Sequence, residues 1–256
     1  MIILLAVVTS NFFPRIYATK RFNGTEIYLI EKTNGKGPVV LFFNGGFGTR
    51  GGAKKILLDY SNHFNTTIAS FKYRQSSFGG GELIDAVNAF EYFNRQNRSV
   101  IFVGKSHGGY LSLMAGTIVN CTAIVDFSGP TDLLTMEDFS LKHLYVPLVF
   151  SPLVKMTADE CKGIPSQTPI CYKEKSPVYR ASEMKCPVMI IHGVNDDVVP
   201  YSQSVKMADA LNESGKQFQF ITTNSTHFDV DFDPYSWEFA CEFISGFGVP
   251  CEAEVS

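Results

Sequence analysis

No apolar run in these 256 residues reaches the roughly 18 needed to cross a bilayer as a helix, so no transmembrane segment is expected. Charge of one sign is also scarce. The formal net charge is −3, which leaves no basic field to hold nucleic acid. There is no Cys-x-x-Cys and no pair of histidines at metal-ligand spacing, so neither a zinc site nor any other metal is expected. No internal repeat and no low-complexity segment is visible, which excludes a solenoid or a tail. What remains is the length and composition of one globular domain, with 45% hydrophobic and 18% charged residues.

The chain opens on an uninterrupted apolar octet, Met1 to Val8, followed by Thr9-Ser10 and then Ile16-Tyr17-Ala18. It lacks the cationic start of a standard signal peptide, yet it reads as an h-region with cleavage after Ser10 or Ala18. The alternative is a buried first strand. Two further features favour the secretory reading. The six cysteines (Cys121, Cys161, Cys171, Cys186, Cys241 and Cys251) are an even set. Six Asn-x-Ser/Thr sequons, at Asn23, Asn65, Asn97, Asn120, Asn212 and Asn224, exceed chance. The expectation is a secreted or lumenal glycoprotein, with 1–18 removed and 19–256 forming a single domain.

Continuous apolar runs recur between helical periodicities. Strands are expected at 25–31, 39–43, 67–73, 100–103, 122–127, 187–192 and 217–222, and helices at 53–64, 82–96, after 106, 201–212 and 235–243. Unbroken rather than alternating strands alternating with helices imply an α/β fold with a mostly parallel sheet, covered on both faces. Residues 131 to about 183 break that rhythm. They hold five prolines, scattered aromatics, and Cys161 and Cys171 ten apart, and they read as an inserted cap. Its Phe139, Leu144, Tyr145, Phe150 and Met156 either pack the cap or meet an apolar substrate group.

The most informative stretch is Gly104-Lys105-Ser106-His107-Gly108, between a strand and a helix. Gly-x-Ser-x-Gly in that context is a nucleophile elbow: a sharp turn lifts the serine hydroxyl above the sheet at a helix N-terminus. Two rival readings of the glycines are weaker. Gly104-Lys105-Ser106 is not a P-loop, because residue 99 is serine and no loop separates strand from motif. Gly46-Phe47-Gly48-Thr49-Arg50-Gly51 fits a dinucleotide fingerprint, and Lys72-Tyr73-Arg74 could suit a 2′-phosphate, but that leaves Ser106 unexplained.

A serine nucleophile needs a base and an acid to orient it. Of five histidines, His107 adjoins the serine and points elsewhere, His63 ends a helix, and His143 lies in the expected cap. His192 ends a strand and reads as a structural, hydrogen-bonded residue. His227, in the loop after the last strand, is the candidate base. Asp196 or Asp197, past another strand end, is the candidate acid, with Asp132 as runner-up. The order Ser, Asp, His is that of α/β-hydrolases. The oxyanion hole is expected from the amide of His107 and one from Asn44-Gly45-Gly46-Phe47-Gly48, with Gly46 favoured over Phe47.

Gly104-Lys-Ser-His-Gly-Gly-Tyr110, Ser176-Pro-Val-Tyr and Pro187-Val-Met-Ile-Ile-His-Gly-Val-Asn-Asp-Asp-Val-Val-Pro200 resemble the α/β-hydrolase superfamily, within it the catalytic domain of prolyl-oligopeptidase-like serine peptidases. The resemblance runs over roughly 38–246. It implies Ser106 as nucleophile, His227 as base and, as the first aspartate after His-Gly, Asp196 as acid; no cofactor is implied. Asn44 stands where relatives often carry His or Tyr. In such a sheet Cys121 and Cys186 start neighbouring strands, so a Cys121–Cys186 disulfide is expected, with Cys161–Cys171 stapling the cap and Cys241–Cys251 pinning the tail. The expected function is cleavage of an ester or peptide bond in a small substrate through an acyl-enzyme. The alternatives are a hydrolase-fold ligand-binding protein without catalysis and, behind it, a dinucleotide-dependent redox enzyme. The sequence carries no signal for oligomeric state.

Overall fold

The computed structural model describes residues 17–46, 50–74, 77–136 and 146–253, with backbone alone at 50 and 146–153. The Met1–Val8 octet, Ser10, Phe47, Gly48, His143, Phe139, Leu144 and Tyr145, and the side chain of Phe150, lie outside the described residues.

Eight strands form one sheet: β1 (Ala18–Phe22), β2 (Thr25–Ile30), β3 (Val39–Phe43), β4 (Thr67–Lys72), β5 (Val100–Lys105), β6 (Ala123–Phe127), β7 (Val188–Gly193) and β8 (Phe218–Thr223). Their spatial order is β1-β2-β4-β3-β5-β6-β7-β8. All pairs from β4–β3 onward are parallel, and β1–β2 and β2–β4 are antiparallel. This is the α/β-hydrolase arrangement.

The apolar runs are unbroken because the sheet is covered twice. Along β3, Val39, Leu41 and Phe43 face one core and Val40 and Phe42 the other. The first core takes α2 (Gly81–Asn94), α3 (His107–Ile118) and α6 (Ser202–Glu213), through Phe90, Leu111 and Met207. The second takes α1 (Arg50–Tyr60) and α7 (Pro234–Ser245), through Leu57, Trp237 and Ile244. α3 is buried at every residue but Ile118, so its sequence is apolar all round rather than amphipathic. Helix α7 starts where the Asp233 carboxylate accepts the Tyr235 N–H and Pro234 occupies the first turn, a cap of about 1 kcal/mol.

The strand order reverses at β3. From β3 the chain moves outward to β4, then returns to lay β5 on β3's other side. The carboxyl ends of β3 and β5 therefore flank a topological switch point, where α/β sheets bind ligands. Ser106 and the Asn44–Gly46 loop both emerge there.

Two features differ from expectation. The hairpin strand β1 was not read from Ala18-Thr-Lys-Arg-Phe22, because an exposed edge strand needs no apolar run. The turn that closes it, Asn23-Gly24 with φ of 47° and 86°, is the standard two-residue hairpin signal and could have revealed it. Ala18, one of the two expected cleavage points, is its first residue. Helix 53–64 also ends earlier, at Tyr60, in a single 3-10 turn, Ser61–His63. Between 131 and 183 no strand occurs among the described residues. The chain there forms α4 (Val146–Cys161), α5 (Pro169–Glu174) and a 3-10 turn, Pro177–Glu183.

Three disulfides are formed. Cys121–Cys186 joins the leads into β6 and β7, Cys161–Cys171 ties α4 to α5, and Cys241–Cys251 ties α7 to the segment after it. No helix of the described residues is long and apolar enough to cross a membrane.

Candidate active site

Ser106 leaves β5 with φ 55° and ψ −124°, a conformation that L-residues adopt only under constraint. The constraint is close packing of backbone on both sides. A Cβ at Gly104 would sit 2.3 Å from the Gly108 carbonyl oxygen, and one at Gly108 would sit 1.9 Å from that of Phe43. Only glycine permits either approach. The Ser106 N–H donates to the Phe127 carbonyl at 2.8 Å, and the Ser106 carbonyl accepts the Tyr110 N–H at 3.0 Å. The strained residue is thus bonded to both the neighbouring strand and α3.

His227 comes from the loop after β8. Its Nε2 lies 2.9 Å from Ser106 Oγ and its Nδ1 lies 2.7 Å from Asp196 Oδ2. With the carboxylate accepting Nδ1–H, Nε2 is left to accept the serine proton; this tautomer follows from the partners. All three residues are buried.

Asp196 is held from four directions. Its Oδ1 accepts the N–H groups of Val198 and Val199 at 2.9 and 2.8 Å. Its Oδ2 faces His227 and also His192 Nε2, at 3.2 Å. Burial alone would push this carboxyl up, but the hydrogen bonds from His192 and His227 outweigh burial and hold it well below the usual range. It stays an anion. Asp197 is exposed. Asp132 is taken by Lys206, 2.6 Å away, and makes no bond to His227. His192 has the hydrogen-bonded role expected, through Ser204 Oγ and the Val199 carbonyl, but its contact with Asp196 was not read from the sequence.

The loop after β3 packs against the serine. A Cβ at Gly45 would lie 3.1 Å from the Lys105 carbonyl oxygen and 3.5 Å from Ser106 Cβ. Gly46 follows at φ +70° with open space beside it. Tyr73, at the end of β4, donates its hydroxyl to the Asn44 carbonyl at 2.7 Å and fixes this loop. No motif in the sequence marks Tyr73 or Glu82 as part of this site. Glu82, in the first turn of α2, lies 2.8 Å from His107 Nε2, and both side chains are fully buried. Of the two cations in the dinucleotide alternative, Arg74 is committed to Asp85 through Nε and Nη2. Among the described residues no group of three or more His, Cys, Asp or Glu could hold a metal.

The profile of the prolyl oligopeptidase family matches residues 69–231, more than half of the chain. The chain belongs to the prolyl oligopeptidase family. Solved structures with the same fold include an acylaminoacyl peptidase from Pyrococcus horikoshii, 19% identical with a TM-score of 0.70 over 92% of this chain and 42% of that one. A puromycin-hydrolyzing peptidase from Mycobacterium tuberculosis is 21% identical, with a TM-score of 0.65 over 82% of this chain and 36% of that one. A truncated carbohydrate esterase from gut microbiota is 21% identical, with a TM-score of 0.67 over 88% of this chain and 90% of that one. The chain therefore spans less than half of the two peptidases and nearly all of the esterase. No curated protein sequence matches it. The family's match ends at Asp231, just past His227, so it includes all three residues of the hydrogen-bonded chain.

Proposed function

We propose that this prolyl oligopeptidase family member is a secreted serine hydrolase that cleaves an ester or amide through an acyl-enzyme. The observation that carries this reading is the buried run Ser106–His227–Asp196, with contacts of 2.9 and 2.7 Å at the sheet's switch point. Ser106 Oγ attacks the substrate carbonyl while His227 Nε2 takes its proton. The Asp196 carboxylate stabilises the imidazolium and keeps the ring oriented. The oxyanion is bound by the amides of His107 and Gly46, at the N-terminus of α3 where negative charge is favoured. Collapse of the tetrahedral species expels the alcohol or amine, which takes the proton from His227. Water then repeats the sequence to release the acid and restore Ser106. The segment 131–183 serves as a cap over the substrate, and the N-terminal apolar stretch as a signal peptide cleaved after Ser10 or Ala18, the former leaving β1 whole.

Secretion is supported by the three disulfides and by the exposure of all six sequon asparagines, Asn23, Asn65, Asn97, Asn120, Asn212 and Asn224. The deciding experiment is labelling with a fluorophosphonate. The wild-type protein is expected to take the label at Ser106 and Ser106→Ala to take none. An unlabelled wild-type protein would instead support a hydrolase-fold ligand binder. A panel of short-chain esters and dipeptide amides then separates esterase from peptidase.

A further inference from the structure

Ser106 and His227 are 121 residues apart in sequence, so something must hold the loop that carries the base over the strand that carries the nucleophile. Within itself that loop is tightly bonded. The Thr226 N–H and hydroxyl both donate to Asp229 Oδ1, at 2.6 and 2.7 Å. The N–H groups of Phe232 and Asp233 both donate to the Asp229 carbonyl at 2.9 Å. Ser225 Oγ donates to Asp233 at 3.0 Å. These bonds tie residues 225–233 to one another. The loop's attachments to the scaffold then decide where the imidazole sits.

Beyond the bonds of His227 itself, several of those attachments converge on Asp231. One carboxylate oxygen is paired with the ammonium of Lys105, the residue immediately before Ser106. The other accepts the Tyr60 hydroxyl of α1 at 2.5 Å, and the Asp231 carbonyl accepts Trp237 Nε1–H at 2.8 Å. Lys105 also donates to the Phe228 carbonyl, one residue past His227, at 3.2 Å, and its ammonium stands 5.4 Å from the centre of the Phe232 ring. The Lys105 and Asp231 side chains are 19% and 8% exposed, so solvent screens this pair little. One lysine thus grips the base loop at three points, from the position next to the nucleophile.

We propose that Lys105 and Asp231 form a latch that sets the His227 loop over Ser106, making both of them positioning residues for the reaction. The latch rests on the reading of Ser106 and His227 as nucleophile and base. It has an electrostatic side as well. Asp231 neutralises a cation that is carried next to the nucleophile and bonded to the carbonyl one residue past His227. Removing either partner both loosens the loop and leaves a poorly hydrated charge next to the chemistry.

The test uses the full chain, a fluorophosphonate labelling rate, and kcat and KM on an activated ester. Lys105→Met and Asp231→Asn are each expected to lower kcat and the labelling rate about 10- to 100-fold with KM changed less than about twofold, the order of loss from misplacing a catalytic group by about 1 Å. The double variant is expected to fall no further than the worse single, as for partners in one interaction. Lys105→Arg, which keeps the charge, is expected to retain more activity than Lys105→Met. Thermal melts monitor folding. Should Lys105→Met and Asp231→Asn not fold, Tyr60→Phe removes one hydrogen bond from the same carboxylate. A selective loss of kcat there supports the latch, and an unchanged kcat overturns it. Folded single variants that label at the wild-type rate overturn the latch alone. A wild-type protein that takes no label overturns the nucleophile reading, and the latch falls with it.

Discussion

Replacing Asp196 by asparagine tests the proposed acid with little change of shape, and the geometry fixes how the new amide must lie. Oδ1 accepts two backbone N–H groups, from Val198 and Val199, and an NH2 group at that position would oppose both donors. The amide oxygen must therefore stay where Oδ1 is, and the NH2 group must take the place of Oδ2. There it meets His227 Nδ1, which donated to the carboxylate, at 2.7 Å, and stands 3.2 Å from His192 Nε2. The least costly response at His227 is to move its proton to Nε2, so that Nδ1 accepts from the amide. Nε2–H then faces Ser106 Oγ and cannot accept its proton. The imidazolium also loses its counter-charge. Asp→Asn at this position of a Ser-His-Asp triad costs about 10⁴ in kcat, near 5.5 kcal/mol of transition-state stabilisation. Asp197→Asn alters an exposed neighbour and is expected to stay within about threefold of wild type, as surface substitutions do. The assay is kcat for an activated ester at a fixed pH, with thermal melts to show that both variants are folded. An Asp196→Asn enzyme within tenfold of wild type, or an Asp197→Asn enzyme that is the worse of the two, would refute the assignment.

Three further outcomes concern the scaffold. Burial pushes the Asp126 carboxyl up from 3.8 to about 7, against a smaller downward pull from His192. The folded chain then holds a proton that the unfolded chain releases, so this group's stabilising contribution is full below pH 3.8 and is lost as pH rises through 7. Asp126→Asn is therefore expected to raise the melting temperature at pH 8 by up to the equivalent of about 4 kcal/mol and to change it little at pH 4; an equal shift at both pH values would contradict this. Ser106→Gly and Ser106→Ala both remove the hydroxyl, but only glycine relaxes the φ of 55°, so the glycine variant is expected to be more stable by about 1 kcal/mol in urea unfolding. Replacing both Cys121 and Cys186, 65 residues apart, is expected to cost about 4 kcal/mol on loop-closure entropy, against about 3 for Cys241 and Cys251, ten apart; a reversed order in denaturant midpoints would show that native strain or unfolded-state structure dominates.

The parts of this molecule legible in its sequence share one property: their physical cause is local. A strand buried on both faces reads as Val39-Val-Leu-Phe-Phe43, and a turn that admits no Cβ reads as Gly104 and Gly108 around Ser106. His227 was reachable by elimination; the acid was narrowed by position to Asp196 or Asp197, and only the family resemblance favoured Asp196. The order of the strands was not legible, beyond the expected neighbours led by Cys121 and Cys186, because which strand lies beside which is set by packing between distant segments. The edge strand β1 escaped because its residues are exposed, and only the Asn23-Gly24 turn marks it.

The residues that surround the serine were illegible for a different reason. Glu82 meets His107 across 25 residues, and Lys105 meets Asp231 across 126. Each of these four side chains, taken in its own stretch of sequence, looks like an ordinary polar residue on a helix, strand end or loop. Their meaning arises only when β5, α2 and the loop after β8 arrive at the same edge of the sheet. A motif specifies which group can attack, since that depends on one turn. How far the base stands from that group depends on contacts between segments that share no local pattern. The Ser106 hydroxyl is therefore written in the sequence, whereas its 2.9 Å distance to His227 is a property of the assembled sheet and of the polar contacts that tie the base loop to it.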